Sequence, residues 1–489
     1  MNTNIVIGLD LGTTSAKAVA FHFTGTVIGE CEIPYTLYTP QPHYAEQDPL
    51  EIERAAIRVL RQLIETYDLK QERIATVGLS TAMHSVICID QQGNPLSPAI
   101  TWADRRANIY AERVKQNMPH IYEQTGVPLH PMSPFIKLLW MHNQQYAPYE
   151  KADYFVSIKE FLLYRWFGIR EVDYSIAAAT GLFNAHTLTW DEEALELAHI
   201  TTDQLFHPVA PTTKTPPLST RLAMEMGLPV GIPFVIGGSD GPLATLGVGA
   251  IEEGDFAITI GTSGAIRHFT KNKKVDSSHS TFLYPFADAM NLVGGPTNNG
   301  GIALQWLKTL LAYDDSYESF VSLAERAPAG SDGLIFSPYL HGERAPMWNA
   351  HIPGNLFGLN ARHERHHIIR AVLEGIVFSI YHVAEIMEQT TGAPKRLFVN
   401  GGFTQSPFAV QVLANIFQKE VFVPATHQSS AWGAAWTALV GIGIERDFSS
   451  IQPHIPMKDS FQPNEATFPI YEKQFQQYKK ISQQLEKWI

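Results

Sequence analysis

Hydrophobic residues in Ile5–Phe21 (IVIGLDLGTTSAKAVAF) form first an unbroken run and then alternate with small polar residues, with Gly12-Thr13-Thr14 between the two halves. A continuous apolar run marks a fully buried strand and alternation a half-buried one, so the segment predicts a β-hairpin. Phe256–Phe269 (FAITIGTSGAIRHF) repeats the plan, strand, Gly-Thr-Ser turn, strand. Self-similarity about half a chain apart predicts a duplicated architecture. Thr26–Ile33 reads as a third strand behind the Thr24-Gly25 turn, and Asp48-Pro49 opens an amphipathic helix from Leu50 to about Tyr67, apolar at Ile52, Ala55, Ala56, Val59, Leu60 and Ile64. Strands at Ile74–Ser80 and Val86–Asp90 flank the polar interruption Thr81–His84. Val235–Gly247 is a strand, a glycine pair and a helix opening at Ser239-Asp240, with Pro242 in its first turn.

Asn291–Leu307 and Phe398–Phe417 each read as strand, glycine-rich turn, helix; Ser430–Leu439 is a helix with small residues at Gly433, Ala434 and Ala435. Ala210–Thr220 is a proline-rich surface loop, and Tyr471–Ile489 an amphipathic closing helix. Alternating strands and helices predict an α/β fold with buried sheets. The boundary falls near Gly247–Gly254, giving an N-terminal domain 1–247 and a C-terminal domain 248–489 that includes the final helix 471–489.

Composition narrows the function. The 489 residues carry a formal charge of −12 without a basic block, which argues against nucleic acid as a partner and leaves any phosphate affinity to local groups. Two cysteines far apart, Cys31 and Cys88, fit a reducing cytoplasm rather than a disulfide framework. The opening apolar run is short and broken by Asp10, unlike a secretory signal. No window approaches the ~18 apolar residues of a membrane span, so no membrane partner is expected.

Gly12 takes the backbone angles of a tight turn without steric cost, and the hydroxyls and N–H groups of Thr13, Thr14 and Ser15 then make a concavity suited to an anion. Asp10 beside it would repel a bare phosphate, which makes sense with a divalent cation between them; Mg²⁺ takes few protein ligands and keeps waters and phosphate oxygens. Asp240 either caps its helix or accepts a hydroxyl proton from a molecule being phosphorylated. His363-Glu364-Arg365-His366-His367 satisfies the H-E-x-x-H pattern of zinc proteases. It lies, however, in the polar first turn of a long apolar helix, where a zinc site lacks a third ligand and a supporting shell. G-x-x-x-x-G-K-[ST] is absent, so ATP phosphates would be held by hairpins rather than a P-loop.

Over nearly its whole length the chain resembles the FGGY carbohydrate kinases, with MSPFIKLLWMHNQ (Met132–Gln144) and GNLFGLNARHERHHIIRAVLE (Gly354–Glu374) similar to that family's two signatures. The second also accounts for the H-E-x-x-H match. LSTAMHSVICID (Leu79–Asp90) and SPAITWADRR (Ser97–Arg106) are most similar to the gluconate kinases of the family. Glycerol kinases carry Arg-Glu where Met83-His84 stands and Tyr at Met132; xylulose kinases share Met-His but usually follow it with Gly, here Ser85.

The resemblance implies two ribonuclease-H-like domains of the actin, hexokinase and heat-shock ATPase plan with an active-site cleft between domains. It implies ATP and Mg²⁺ as cofactors and a small-molecule sugar or sugar acid as substrate, most like D-gluconate phosphorylated to 6-phospho-D-gluconate. A pentulose such as xylulose is the alternative acceptor, and an actin- or chaperone-like ATPase the non-kinase one. Asp10 would lie near Mg²⁺; Thr13, Thr14, Ser15 and Lys17 would meet the β- and γ-phosphates, with Gly261 and Thr262 facing them. Gly301, Gln305, Gly402 and Ser406 would line the adenosine pocket. Met83, His84, Trp102 and Asp104 would face the sugar, and Asp240 would bind it and act as catalytic base. A homodimer is possible. Arg105, Arg106 and Lys137 are candidates by position to pair with a substrate carboxylate.

Overall fold

The structure, a computed structural model, describes residues 4–425 and 428–487. The chain forms two compact units. Unit 1 runs from the N-terminus to Ile251 and also takes in Leu283–Leu292 and Gln428–Ile455; unit 2 holds Glu252–Phe282, the chain from Val293 up to the segment before Gln428, and Pro456 onward.

In unit 1 the predicted hairpin is β1 (Ile5–Leu11) and β2 (Ser15–His22), followed by β3 (Val27–Pro34), β4 (Ile74–Thr81) and β5 (Phe234–Ser239). They form one sheet in the order β5-β4-β1-β2-β3, with β1, β4 and β5 parallel and the β1–β2 and β2–β3 pairs antiparallel. The helix Pro49–Thr66 is capped by Asp48, whose carboxylate accepts from Leu50 N–H, and buries Ile52, Ala55, Ala56, Val59, Leu60 and Ile64 as the periodicity predicts.

The small-residue helix, observed as Ser429–Gly441, lies against the same sheet backbone to backbone. A Cβ on Gly8 would stand 2.0 Å from Ala431 O, one on Gly78 2.0 Å from Ala434 O, and one on Gly433 2.0 Å from Leu243 O. Glycine is what permits that approach.

Unit 2 repeats the plan with β6 (Asp255–Ile260), β7 (Gly264–Thr270), β8 (Phe282–Ala287), β9 (Met290–Thr297), β10 (Arg396–Asn400), β11 (Val421–Pro424) and β12 (Met457–Phe461). The order is β8-β9-β7-β6-β10-β11-β12, with β6–β7 antiparallel and β6–β10 and β10–β11 parallel; β8 from Leu283 onward and β9 as far as Leu292 are counted with unit 1. Its inner five strands, β9-β7-β6-β10-β11, have the same sequence-order pattern as β3-β2-β1-β4-β5, so the duplication expected from the two hairpins is present in the topology.

Two expectations change. The long helix Arg365–Thr391 does contain an 18-residue window apolar enough to cross a membrane, of mean hydropathy 1.3. That window is 83% buried inside the protein, which is what the core helix of a folded domain requires. The closing helix begins earlier than expected, at Phe468, and runs to Lys487; residues 488–489 of the predicted span lie outside the described residues.

Candidate active site

Three parallel strands end side by side in unit 1, and each releases a segment of candidate chemistry. Register sets Asp10 opposite Ser80 and Ser80 opposite Gly238; in the next row Leu11 meets Thr81, and Thr81 meets Ser239. The turn Gly12–Thr14 leaves β1, Met83-His84 leaves β4, and Asp240 leaves β5. The carboxyl ends of parallel strands are where open α/β sheets bind ligands. β5 carries one extra residue between Val235 and Gly238 relative to β4. Gly237 absorbs it at φ +68°, a position where a Cβ would lie 1.8 Å from Leu79 O. A bulge re-aims the chain beyond it, here Ser239 and Asp240.

Asp10 Oδ1 accepts from Ser80 Oγ at 2.7 Å. Burial pushes the Asp10 pKa up, opposed by the Ser80 hydrogen bond and by the charges of Lys17 and Lys159. Asp240 opens the helix Asp240–Gly247 behind Ser239; burial lowers the pKa of Lys159, opposed by Asp173 and, more weakly, by Glu160 and Asp240.

The hairpin turn is held from behind. Tyr35 donates its hydroxyl to Gly12 O, Gln47 Nε2 donates to Thr13 O at 2.6 Å, and Tyr35 N–H donates to Thr14 O at 3.0 Å. Trp102 Nε1 donates to Thr13 Oγ1 at 3.0 Å. Thr14 is exposed, and Thr13, Ser15 and Lys17 are half-buried. Ser15 Oγ donates to Glu32 Oε1 at 2.5 Å, and Lys17 Nζ lies 3.7 Å from Glu32 Oε2. Lys17 thus stands in register between Asp10 on β1 and Glu32 on β3. The sequence reading missed Glu32, although strand alternation puts it directly across from Lys17.

Beside the turn is a narrow cavity of about 10 Å³ whose lining includes Thr13, Tyr35, Gln47, Met83, Ser85 and Trp102. His84 is held at φ +68°, its Nδ1 2.7 Å from Ala179 O and its Nε2 3.4 Å from the Tyr284 hydroxyl. Asp104 differs from expectation. The residue is 1% exposed, and its carboxylate accepts from Ala45 N–H at 2.7 Å and from Arg106 Nε at 2.9 and 3.0 Å. Arg106 in turn binds Glu46 at 2.6 Å and lies 3.6 Å over the Tyr44 ring.

Lys137 is fully buried and donates to His84 O and Met132 O, each at 2.6 Å. Burial pushes its pKa down to about 7, with Asp104 raising it and Arg106 lowering it. Two of the three cations named for a substrate carboxylate are therefore engaged in holding the walls.

Unit 2 contains a cavity of about 490 Å³ lined by Gly261, Thr262, Gly301, Gln305 and Gly402, and also by Ile302, Tyr317, Phe403 and Gln405. A Cβ on Gly261 or Gly402 would meet no atom within 4 Å, so both glycines leave the cavity open. Gly301 N–H donates to Gly261 O at 2.7 Å and Ile302 N–H to Thr262 O at 3.2 Å, which ties the turn to the helix Gly301–Leu310. Burial pushes the Tyr317 hydroxyl up to about 12. Ser406 does not line this cavity; its Oγ caps the helix Pro407–Phe417 by accepting from Ala409 N–H at 3.3 Å. Neighbouring Gln405 faces the space instead. Tyr317 carried no sequence signal, and Phe403 went unnamed although it directly follows the Gly401-Gly402 turn.

His367 of the H-E-x-x-H segment is likewise a cap: its Nδ1 accepts from Glu364 N–H at 3.1 Å at the start of the helix Arg365–Thr391. Among the described residues no group of three or more His, Cys, Asp or Glu side chains is placed to hold a metal.

Comparison with known proteins gives the same outline. The model of the FGGY family of carbohydrate kinases, N-terminal domain, matches residues 5–247, and that of the FGGY C-terminal domain matches residues 256–442. A gluconokinase from Bacillus subtilis (strain 168) is 40% identical over 489 aligned residues, 96% of this chain and 95% of that protein. A crystal structure of gluconate kinase from Lactobacillus acidophilus superposes with a TM-score of 0.95 at 36% identity, covering 98% of each chain. A ligand-bound xylulose kinase from the same organism gives a TM-score of 0.95 at 36% identity, covering 99% of this chain and 98% of that one.

Proposed function

The chain belongs to the FGGY family of carbohydrate kinases, and we propose that it transfers the γ-phosphoryl group of ATP to the terminal hydroxyl of D-gluconate, giving 6-phospho-D-gluconate. The observation that carries the reading is the row Asp10–Ser80–Gly238 across three strand ends. It brings Asp10 and the segment leading into Asp240 to one edge of one sheet, as a cation-binding carboxylate and a proton acceptor require. The B. subtilis relative named gluconokinase supports the acceptor. Xylulose is the second reading, favoured by the equally similar L. acidophilus xylulose kinase structure.

Phosphoryl transfer passes through a loose transition state, so the protein's work is positioning and charge neutralisation. Asp240 accepts the proton of the attacking hydroxyl as its oxygen bonds to the γ-phosphorus and the bond from that phosphorus to the β–γ bridging oxygen breaks, releasing ADP; one carboxylate within hydrogen-bond reach suffices. In unit 1, Thr13, Thr14, Ser15 and Lys17 take the β- and γ-phosphates; in unit 2, Gly261 and Thr262 take phosphate, and Gly301, Gln305 and Gly402 the adenosine, with Ser406 acting through its helix cap. Met83, His84 and Trp102 face the acceptor, while Asp104 shapes that wall through Arg106.

Asp10 holds Mg²⁺. A single carboxylate suits an ion that arrives on the nucleotide and keeps its waters. That ion would neutralise charge on the transferring phosphoryl group. The assignment gives sugar and phosphate binding to residues 1–247, nucleotide binding to 248–489, and a place in the cytoplasm, where ATP and reduced thiols coexist.

The test is Asp240→Asn. The variant should fold and bind both substrates, while kcat falls by about 10²–10⁴, the usual worth of a general base. Near-normal turnover removes the assignment. A coupled assay of gluconate, xylulose, ribulose, glycerol and fuculose with Mg-ATP decides the acceptor, and xylulose outrunning gluconate would replace it.

A further inference from the structure

The Gly238–Ser239 peptide lies one residue before Asp240, and both of its polar atoms are gripped by side chains. Its carbonyl, Gly238 O, accepts from Lys159 Nζ at 2.7 Å; its N–H, on Ser239, donates to Ser175 Oγ at 2.8 Å. The two grips are joined beneath it. Lys159 Nζ donates to Asp173 Oδ2 at 2.8 Å, and Asp173 Oδ1 accepts from Ser175 Oγ at 2.5 Å. Asp173 also caps the helix Tyr174–Ala179, accepting from Ser175 N–H at 3.0 Å and Ile176 N–H at 3.1 Å. The Lys159 and Asp173 side chains are both 0% exposed.

A buried ion pair is a poor source of stability, because desolvation offsets most of the attraction. Its consequence here is geometric. The ring Lys159–Asp173–Ser175 closes on the 238–239 peptide and fixes the orientation of its plane. Sterics support this: a Cβ on Gly238 would lie 2.8 Å from Phe286 and 3.3 Å from Ser175 Oγ. Turning the plane would break two buried hydrogen bonds and swing the next residue, Asp240.

We propose that Lys159, Asp173 and Ser175 form one positioning device that locks the Gly238–Ser239 peptide and thereby aims the Asp240 carboxylate at the acceptor hydroxyl. The proposal rests on the reading of Asp240 as the base. None of the three touches substrate; each acts through the backbone.

The experiment compares Ser175→Ala, Asp240→Asn and the double variant, measuring kcat, the KM for ATP and thermal melting. Ser175→Ala frees the Ser239 N–H, and kcat should fall about tenfold to a hundredfold, the order that a 1 Å misplacement costs. The KM for ATP should stay unchanged. In the Asp240→Asn background the same substitution should leave the residual kcat where it is, since there is no longer a base to aim. A wild-type kcat in folded Ser175→Ala overturns the proposal, and so does an equal loss in both backgrounds. A wild-type kcat in Asp240→Asn instead overturns the base reading, which separates the two failures. Should Ser175→Ala not fold, the charge-neutral pair Lys159→Met/Asp173→Asn takes its place, with the same pattern expected and wild-type turnover again fatal.

Discussion

Replacing Trp102 with Phe keeps an aromatic wall and removes one donor. The indole Nε1 donates to Thr13 Oγ1 at 3.0 Å in a half-buried setting, and both residues line the cavity beside the hairpin turn. A hydrogen bond of this kind is worth about 0.5–1.5 kcal/mol net, about twofold to tenfold in a rate or binding constant. If Trp102 only walls the acceptor, Trp102→Phe changes the KM for gluconate and nothing else. If the bond also orients Thr13 toward the phosphates, kcat/KM for ATP falls by that same twofold to tenfold, although the substituted side chain faces the acceptor side.

A double-mutant cycle with Thr13→Ala separates these outcomes. Thr13→Ala removes the acceptor of the bond, so adding Trp102→Phe should then cost little further in kcat/KM for ATP, and the coupling energy should come to about 0.5–1.5 kcal/mol. The assay is steady-state kinetics for both substrates on the four proteins. Effects on ATP that add to within ~0.3 kcal/mol would refute the linkage, because contacting residues that share one bond do not behave independently.

Two further outcomes rest on the geometry. Gly402→Leu points a side chain into open cavity, so melting should match wild type while the KM for ATP rises at least about tenfold; an unchanged KM would move the nucleotide out of that cavity. Lys137 gives a pH dependence. Its pKa is lowered from 10.5 to about 7, so between those values the unfolded chain binds a proton that the folded one does not, and this group's contribution to stability rises with pH. As a neutral amine it still has two N–H groups for the carbonyls of His84 and Met132. Urea midpoints should therefore climb more steeply from pH 7 to 9 in wild type than in Lys137→Met, and equal slopes would contradict the shift.

Local elements were legible where the physics is local. Both hairpins, the helix Pro49–Thr66 and the start of Asp240–Gly247 are set by alternation, 3.6-residue periodicity, and Asp, Pro and Gly at their ends. What was not legible is which partner each polar group takes, near or far along the chain. The resemblance set Asp104 against the sugar, yet Arg106 and Ala45 N–H saturate its carboxylate. Ser406 stands at a helix start, where its hydroxyl accepts from Ala409 N–H. Gln47, Tyr35 and Lys159 gave no signal at all. Each works by holding backbone 34, 23 or 79 residues away in sequence, and no periodicity encodes such a pairing.

The duplication shows how one topology takes on two chemistries through single positions. Aligning the turns, Gly12 of β1–β2 corresponds to Gly261 of β6–β7, which sets Thr259 where Asp10 stands. In the first hairpin the cross-strand partner of the carboxylate is Lys17, and Ser80 on the adjoining parallel strand donates to it. In the second, Thr259 faces Ala265 and its hydroxyl accepts from Arg267 at 3.3 Å. A turn flanked by a carboxylate can bind phosphate well only through a cation, whereas a neutral, glycine-rich turn can approach phosphate or ribose directly. On the proposed reading the same fold would supply a cation-dependent grip in the unit where Asp10 stands, while the unit with Thr259 at that position holds the open cavity.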